Sequence, residues 1–168
     1  MLGRISYQYT STSLEFPSLR YLSLYEVQNI KHRMNVPALT KYHESGRTEE
    51  ESFSMSLPLL IEYGIHRSYN KSPLNVTTLY QCYPNISRLS VRARTSDVKR
   101  FLHSLSRQPI ALPMLRIFAV GTLGGSNSEE KYSGEDKESM RNMASSVKME
   151  LCFDGMVRVP LYFGHIRV

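Results

Sequence analysis

Five times along this chain a hydrophobic residue is followed by proline, and each time apolar residues return at fixed distances behind it. Phe16-Pro17 leads to Leu19, Leu22 and Leu24, and Leu57-Pro58 to Leu60, Tyr63 and Ile65. Tyr83-Pro84 leads to Ile86, Leu89 and Val91, and Leu112-Pro113 to Leu115, Phe118 and Val120. Val36-Pro37 leads to Leu39 and Tyr42, with Glu44 breaking the last slot. Counted from the proline, the slots are +2, +5 and +7, and successive prolines stand 20, 21, 26 and 29 residues apart. An internal period of that length signals a solenoid, in which each unit buries its apolar face against its neighbours.

The physics of one unit is legible. Proline fixes its own φ and disfavours helical geometry in the residue before it, so each unit begins extended. Slots +5 and +7 differ by two and therefore share one face of a strand. Parallel strands are expected near residues 20–24, 40–44, 60–65, 86–91 and 115–120.

The 168-residue chain is long enough for one continuous core, and 41% hydrophobic with 21% charged residues fits a globular protein. Cys82 and Cys152, far apart in sequence, make neither a disulfide framework nor a zinc site. The start, Met1 to Tyr7, lacks an apolar stretch of signal-peptide length, and nothing approaches a membrane span. An intracellular protein, cytoplasmic or nuclear, is expected, with the sequons at Asn75 and Asn85 as chance matches. The formal charge of +6 is uneven: between Ile65 and Phe118 nine basic residues face one acid, Asp97. Such a segment suits an acidic protein partner, a phosphate backbone, or simply a solvated surface.

In chain order, Ile5, Tyr7 and Tyr9 alternate as in a strand, and Tyr25 to Met34 reads as an arch. Thr48 and Glu51 have capping-box spacing. Ser72-Pro73 reads as a helix start, with Val76, Leu79, Tyr80 and Tyr83 on one face. Ser96 is placed to cap a second helix whose stripe is Val98, Phe101, Leu102 and Leu105. Gly121 to Asp136, rich in Gly, Ser, Asn and Glu, is expected to be a loop. Met140, Met143, Ala144 and Val147 mark a third helix, followed by strand alternation through Leu151 and Phe153. Asp154-Gly155 signals a hairpin turn, and Pro160 would confine the strand beyond it to an edge.

Leu-x-x-Leu-x-Leu is the strand half of a leucine-rich repeat. The strings from Gln81 to Val91 and from Leu112 to Val120 resemble the repeat region of F-box leucine-rich-repeat proteins of the divergent type common in fungi. In that family a short helix often ends in cysteine-proline-asparagine-leucine before the strand. The resemblance covers about residues 15 to 120. It implies an α/β fold: a leucine-rich-repeat solenoid with short parallel strands on the concave face and irregular helices on the convex face. Residues 1–168 would form one domain, with repeats over about 15–120, a loop at 121–136, and a helix with capping strands over 137–168. It also implies substrate recognition in an SCF-type ubiquitin ligase. No counterpart of the family's F-box is present in this sequence, so docking on a Skp-type adaptor is not expected.

No catalytic constellation stands out. His32, His43, His66, His103 and His165 lack metal-ligand spacing, and Gly121-Thr122-Leu123-Gly124-Gly125 lacks the GK[ST] ending of a phosphate loop. The expectation is a non-enzymatic, cofactor-free interaction module with no membrane association. Its binding face would carry Tyr21, Tyr25, Lys41, His43, Glu62, His66, Arg88, Ser90 and Arg92, the residues between the core slots. The expected partner is a protein with an acidic or phosphorylated segment; the alternative is a basic nucleic-acid-binding domain using the Arg88 to Arg107 region.

The spacing makes Leu89 a core residue. Leu89→Ala is therefore expected to destabilise the protein by roughly 2–5 kcal/mol in chemical denaturation, through lost burial and the cavity left behind.

Overall fold

In the computed structural model the described residues are 14–25, 34–46, 57–67, 75–108, 111–121 and 132–153. They form a mixed α/β structure. The strands are β1 (Leu14–Glu15), β2 (Tyr21–Tyr25), β3 (Met34–Asn35), β4 (Lys41–Gly46), β5 (Glu62–Arg67), β6 (Arg88–Arg92), β7 (Ile117–Gly121) and β8 (Glu150–Phe153). The helices are α1 (Val76–Cys82), α2 (Thr95–Arg107) and α3 (Gly134–Ser146). Six strands make one parallel sheet in the order β2-β4-β5-β6-β7-β8, each beside the sheet strand before it, while β1 and β3 pair separately.

The prolines set the register. Leu19, Leu39, Leu60, Ile86 and Leu115 each donate an N–H to the carbonyl of Phe16, Val36, Leu57, Tyr83 and Leu112 respectively, at 3.0–3.3 Å. Each proline is thus the second residue of a β-turn, where its fixed φ is already correct and its missing N–H costs nothing. The strand begins four residues after the proline, one or two residues later than the spacing alone suggests. Every strand starts on the same rung. Tyr21 pairs with Lys41, Lys41 with Glu62, Glu62 with Arg88, and Arg88 with Ile117, all at +4.

The +5 slots therefore stack: Leu22, Tyr42, Tyr63, Leu89 and Phe118 are all buried, one on each strand in order. Ile65, Val91 and Val120 do the same at +7. The helices cover this face. Val98, Phe101, Leu102 and Leu105 of α2 are buried as their spacing predicts, and the Phe101 ring lies 5.0 Å from that of Phe118. Val76 and Leu79 of α1, and Met140 and Ala144 of α3, join the same core. Each large side chain so buried contributes about 1.5–3 kcal/mol relative to exposure.

Several helix boundaries differ from the sequence expectation. The N-cap of α1 is Asn75, whose side chain accepts from the Thr78 N–H at 3.0 Å; Ser72-Pro73 lies outside the described residues. Helix α2 begins at Thr95 behind Arg94, with no side-chain cap, so Ser96 sits inside the helix rather than before it. The expected loop through Asp136 is shorter. Ser133 caps α3 by accepting from the Asp136 N–H, and Tyr132 is buried, donating its hydroxyl to the carbonyls of Ala93 (2.8 Å) and Gly121 (3.2 Å). A buried tyrosine needs such acceptors, and here they tie two neighbouring strand ends together. The alternation in residues 1–13, the arch at 26–33, the capping box at 48–51 and the hairpin from 154 onward lie outside the described residues.

Strand β8 extends the sheet without a proline. Helix α3 ends with Lys148 at φ 58°, its N–H bonded to the Ser145 carbonyl and the Met149 N–H to the Ala144 carbonyl. This is a Schellman cap with lysine in the left-handed position that glycine usually takes. The helix end supplies the turn that proline supplies elsewhere, and Glu150 lands opposite Ile117 on the common rung.

Glu44 is the one charged residue in a core slot among the described residues. It is buried, and its two carboxylate oxygens accept from the hydroxyls of Tyr42 (3.0 Å) and Tyr63 (2.7 Å). The two rings stack at 5.7 Å, and Tyr83 packs at 4.7 Å on the far side of Tyr63. Burial, then Tyr83 and Glu44, push the Tyr63 hydroxyl well above its ordinary pKa, so it stays a donor. Restoring the apolar pattern with Glu44→Leu should therefore weaken the protein, by roughly 2–4 kcal/mol, because both tyrosines lose their shared acceptor inside the core. Chemical denaturation would show it, and the triple variant Glu44→Leu/Tyr42→Phe/Tyr63→Phe should recover much of the loss.

Candidate functional site

Residues at +4, +6 and +8 lie on the face of the sheet away from the helices, because strand side chains alternate. The rows across this face follow from the register. The +4 row reads Tyr21, Lys41, Glu62, Arg88, Ile117 and Glu150; the +6 row reads Ser23, His43, Gly64, Ser90, Ala119 and Cys152. Tyr25 and His66 belong to β2 and β5, and Arg92 opposes Gly121 at the end of β6. The structure thus places every expected binding residue on this one face at the backbone level. The side chains of Tyr25 and His66 lie outside the described residues.

Two groupings emerge. The first is built around Glu62. Its carboxylate lies 3.5 Å from the Lys41 ammonium and 3.4 Å from His43 Nε2. The Tyr21 ring sits 5.8 Å from the imidazole and is 43% exposed, whereas His43 and Glu62 are buried. Those two were expected at the surface. They are covered because the His43 ring lies across Gly64, where a Cβ would run into the imidazole. Glycine in the middle of a strand is costly to order, and here it marks a close approach. Burial lowers the His43 pKa; the Glu62 carboxylate raises it and the Lys41 charge lowers it again, with burial dominant. His43 is neutral at pH 7.

The second grouping is on β6 and β7. Arg88 is half-buried and makes no hydrogen bond or ion pair among the described residues, since the Glu62 oxygens face Lys41 and His43 instead. Ser90, between the arginines, is buried, and the neighbouring +6 and +8 positions on β7 are the small residues Ala119 and Gly121. The Arg92 stem leans toward β7, with Cγ 3.4 Å from where a Cβ on Gly121 would stand.

Four other basic residues of the middle segment, all among the described residues, do not gather there. Lys99 and Arg100 are on α2, paired with Asp136 and Asp97, and Arg107 is exposed in the last turn of the same helix. Arg116 folds back to donate to the carbonyls of Pro113 and Leu115. These four basic residues therefore stand apart from Arg88 and Arg92 rather than forming one stripe with them. The Cys82 thiol is pushed up in pKa by burial, as befits a residue packed against the core. Among the described residues no group of three or more His, Cys, Asp or Glu side chains could hold a metal ion, and no helix is long and apolar enough to cross a membrane.

Sequence reasoning found the face but missed what shapes it. Gly64 carries the clearest signal, a glycine inside an otherwise regular strand. The pairing of His43 with Glu62 joins residues 19 apart in the sequence and becomes visible only through the register.

Comparisons with protein-family models, with curated proteins and with solved structures gave no match to this chain.

The neutral His43 has a consequence for pH. Its folded pKa lies below the unfolded value of about 6.5, so as pH falls below that value the unfolded chain takes up a proton that the folded one refuses. Stability should fall as pH is lowered from 7.5 to 5.5, and His43→Gln should flatten the slope by at most about 1.4 kcal/mol per pH unit. Urea midpoints measured across that range for both proteins provide the check.

Proposed function

We propose that the chain is a leucine-rich-repeat solenoid serving as a non-enzymatic recognition module, whose face away from the helices receives a protein partner. The observation that carries this reading is the unbroken register of six parallel strands, each one unit further along the chain and the first five built on the same proline turn. Repetition of this kind produces an extended surface rather than a pocket, and extended surfaces suit macromolecular partners. The residue pattern resembles the substrate-receptor repeats of F-box proteins, so recruitment of a substrate to a ubiquitin ligase is the cellular role we infer. Aromatic Tyr21 supplies rigid contact area near one end, and the arginines of β6 supply charge nearer the other.

The scatter of Lys99, Arg100, Arg107 and Arg116 away from Arg88 and Arg92 favours a protein over a nucleic acid, which would need a continuous basic track. The test is quantitative capture of the partner by wild type, by Arg88→Ala/Arg92→Ala, and by the helix-side control Lys99→Ala/Arg100→Ala. The first pair should lose at least tenfold in binding and the control should keep it. Equal loss from both, with salt-sensitive binding to random-sequence RNA or DNA, would favour the nucleic-acid reading instead.

A further inference from the structure

The proline turns stack into an edge of their own, beside the binding face. Leu59, Ile61 and Met114 are the most exposed large hydrophobic residues among those described, at 53, 50 and 49%, and all three lie on this edge. They occupy +1 and +3, the corner positions between core slot +2 and binding-face position +4. The turn itself does not require apolar side chains there. Neighbouring units make the same turn with Ser18 and Asn85 at +1, and with Thr40 and Ser87 at +3. Exposed aliphatic groups clustered where the fold accepts polar ones mark a surface that something else covers.

The rows show what kind of partner fits. Backbone hydrogen bonds set the +3 residues side by side in the order Arg20, Thr40, Ile61, Ser87 and Arg116. Ile61 is central, with Leu59 on the same turn, and an arginine closes each end. Both arginines are exposed, and neither forms an ion pair among the described residues. Arg20 spends Nη1 on the Ala38 carbonyl and Arg116 spends Nη1 on those of Pro113 and Leu115, so each guanidinium keeps donors for an incoming carboxylate. No acid stands at +1 or +3 in any of the five units. Strands are about 4.8 Å apart, which puts each arginine roughly 10 Å from Ile61 along the edge. An extended peptide covers that distance in about three residues.

We propose that the proline-turn edge is a second docking surface, taking an extended peptide segment of a partner with a large apolar anchor and an acidic residue three positions to either side. The anchor lies on Leu59 and Ile61, and the two carboxylates meet Arg20 and Arg116. The surface is distinct from the binding face of β2 to β8, so the two can be occupied together.

The experiment selects a displayed library of random peptides on the intact protein and measures the enriched peptides by fluorescence anisotropy. They should share the pattern acid-x-x-apolar-x-x-acid. Leu59→Ser/Ile61→Ser should lose at least tenfold in affinity, with a thermal melt confirming folding, and Arg88→Ala/Arg92→Ala should bind as wild type. Arg20→Glu/Arg116→Glu should reject the selected peptide and accept its counterpart with lysines in place of the acids. Enriched peptides without paired acids, full binding by Leu59→Ser/Ile61→Ser, or failure of the charge swap would overturn the proposal. So would a wild-type dimer in sedimentation that Leu59→Ser/Ile61→Ser turns into a monomer, since the edge would then belong to a second copy of the chain. If peptide binding is lost in Arg88→Ala/Arg92→Ala but kept in the edge variants, the edge proposal falls and the binding face stands.

Discussion

The carbonyls of Arg20, Thr40, Ile61 and Ser87 each accept two consecutive backbone N–H groups from the following unit, at 2.8–3.1 Å. This shared acceptor, at +3 in every unit, fixes the first rung of each strand against its predecessor. Once that rung is set, the period-two alternation of the strand decides which residues enter the core and which face away. A slip of one residue would carry Tyr42, Tyr63, Leu89 and Phe118 out of the core and bring charged residues in. The proline turns matter because they present those carbonyls in the same place each time.

Because each rung joins units that are neighbours in sequence, stability is distributed along the sheet rather than concentrated at one closing contact. The core is not uniform, however. At β4 and β5 it is aromatic and polar, with Glu44 clasped by Tyr42 and Tyr63, whereas the core slots of β6 and β7 hold Leu89, Val91, Phe118 and Val120. A buried carboxylate with fixed donors tolerates few alternative neighbours, and so holds units two and three in one relative position.

The proline spacing made the sheet legible, since the register follows from counting four residues past each proline. The helical stripes of α2 and α3 were legible for the same reason, a strong period. What escaped was mostly local chemistry. Asn75 rather than Ser72 caps α1, because any of several polar residues can accept the N–H and spacing cannot choose among them. Tyr132 looked like part of a polar loop because its acceptors, the Ala93 and Gly121 carbonyls, are backbone atoms with no sequence signature. Sequence reading also placed His43 and Glu62 at the surface. It could not see that Gly64 lets an imidazole lie flat over the strand, nor that Glu44 would be stabilised in a core slot by tyrosines from two units.

The Asn85 side chain donates its Nδ2 to the carbonyl of Pro58 at 2.8 Å, bridging the turns of two successive units. Proline carbonyls at the turn corners have no strand partner, so this amide completes the joint between units three and four. The same nitrogen is the atom to which a sugar would be attached at the sequon Asn85-Ile86-Ser87. Attachment and folding therefore compete for one atom. A chain routed through a compartment that glycosylates nascent polypeptides would gain a bulky group where two units must touch. In the folded protein that nitrogen is the donor that holds the joint.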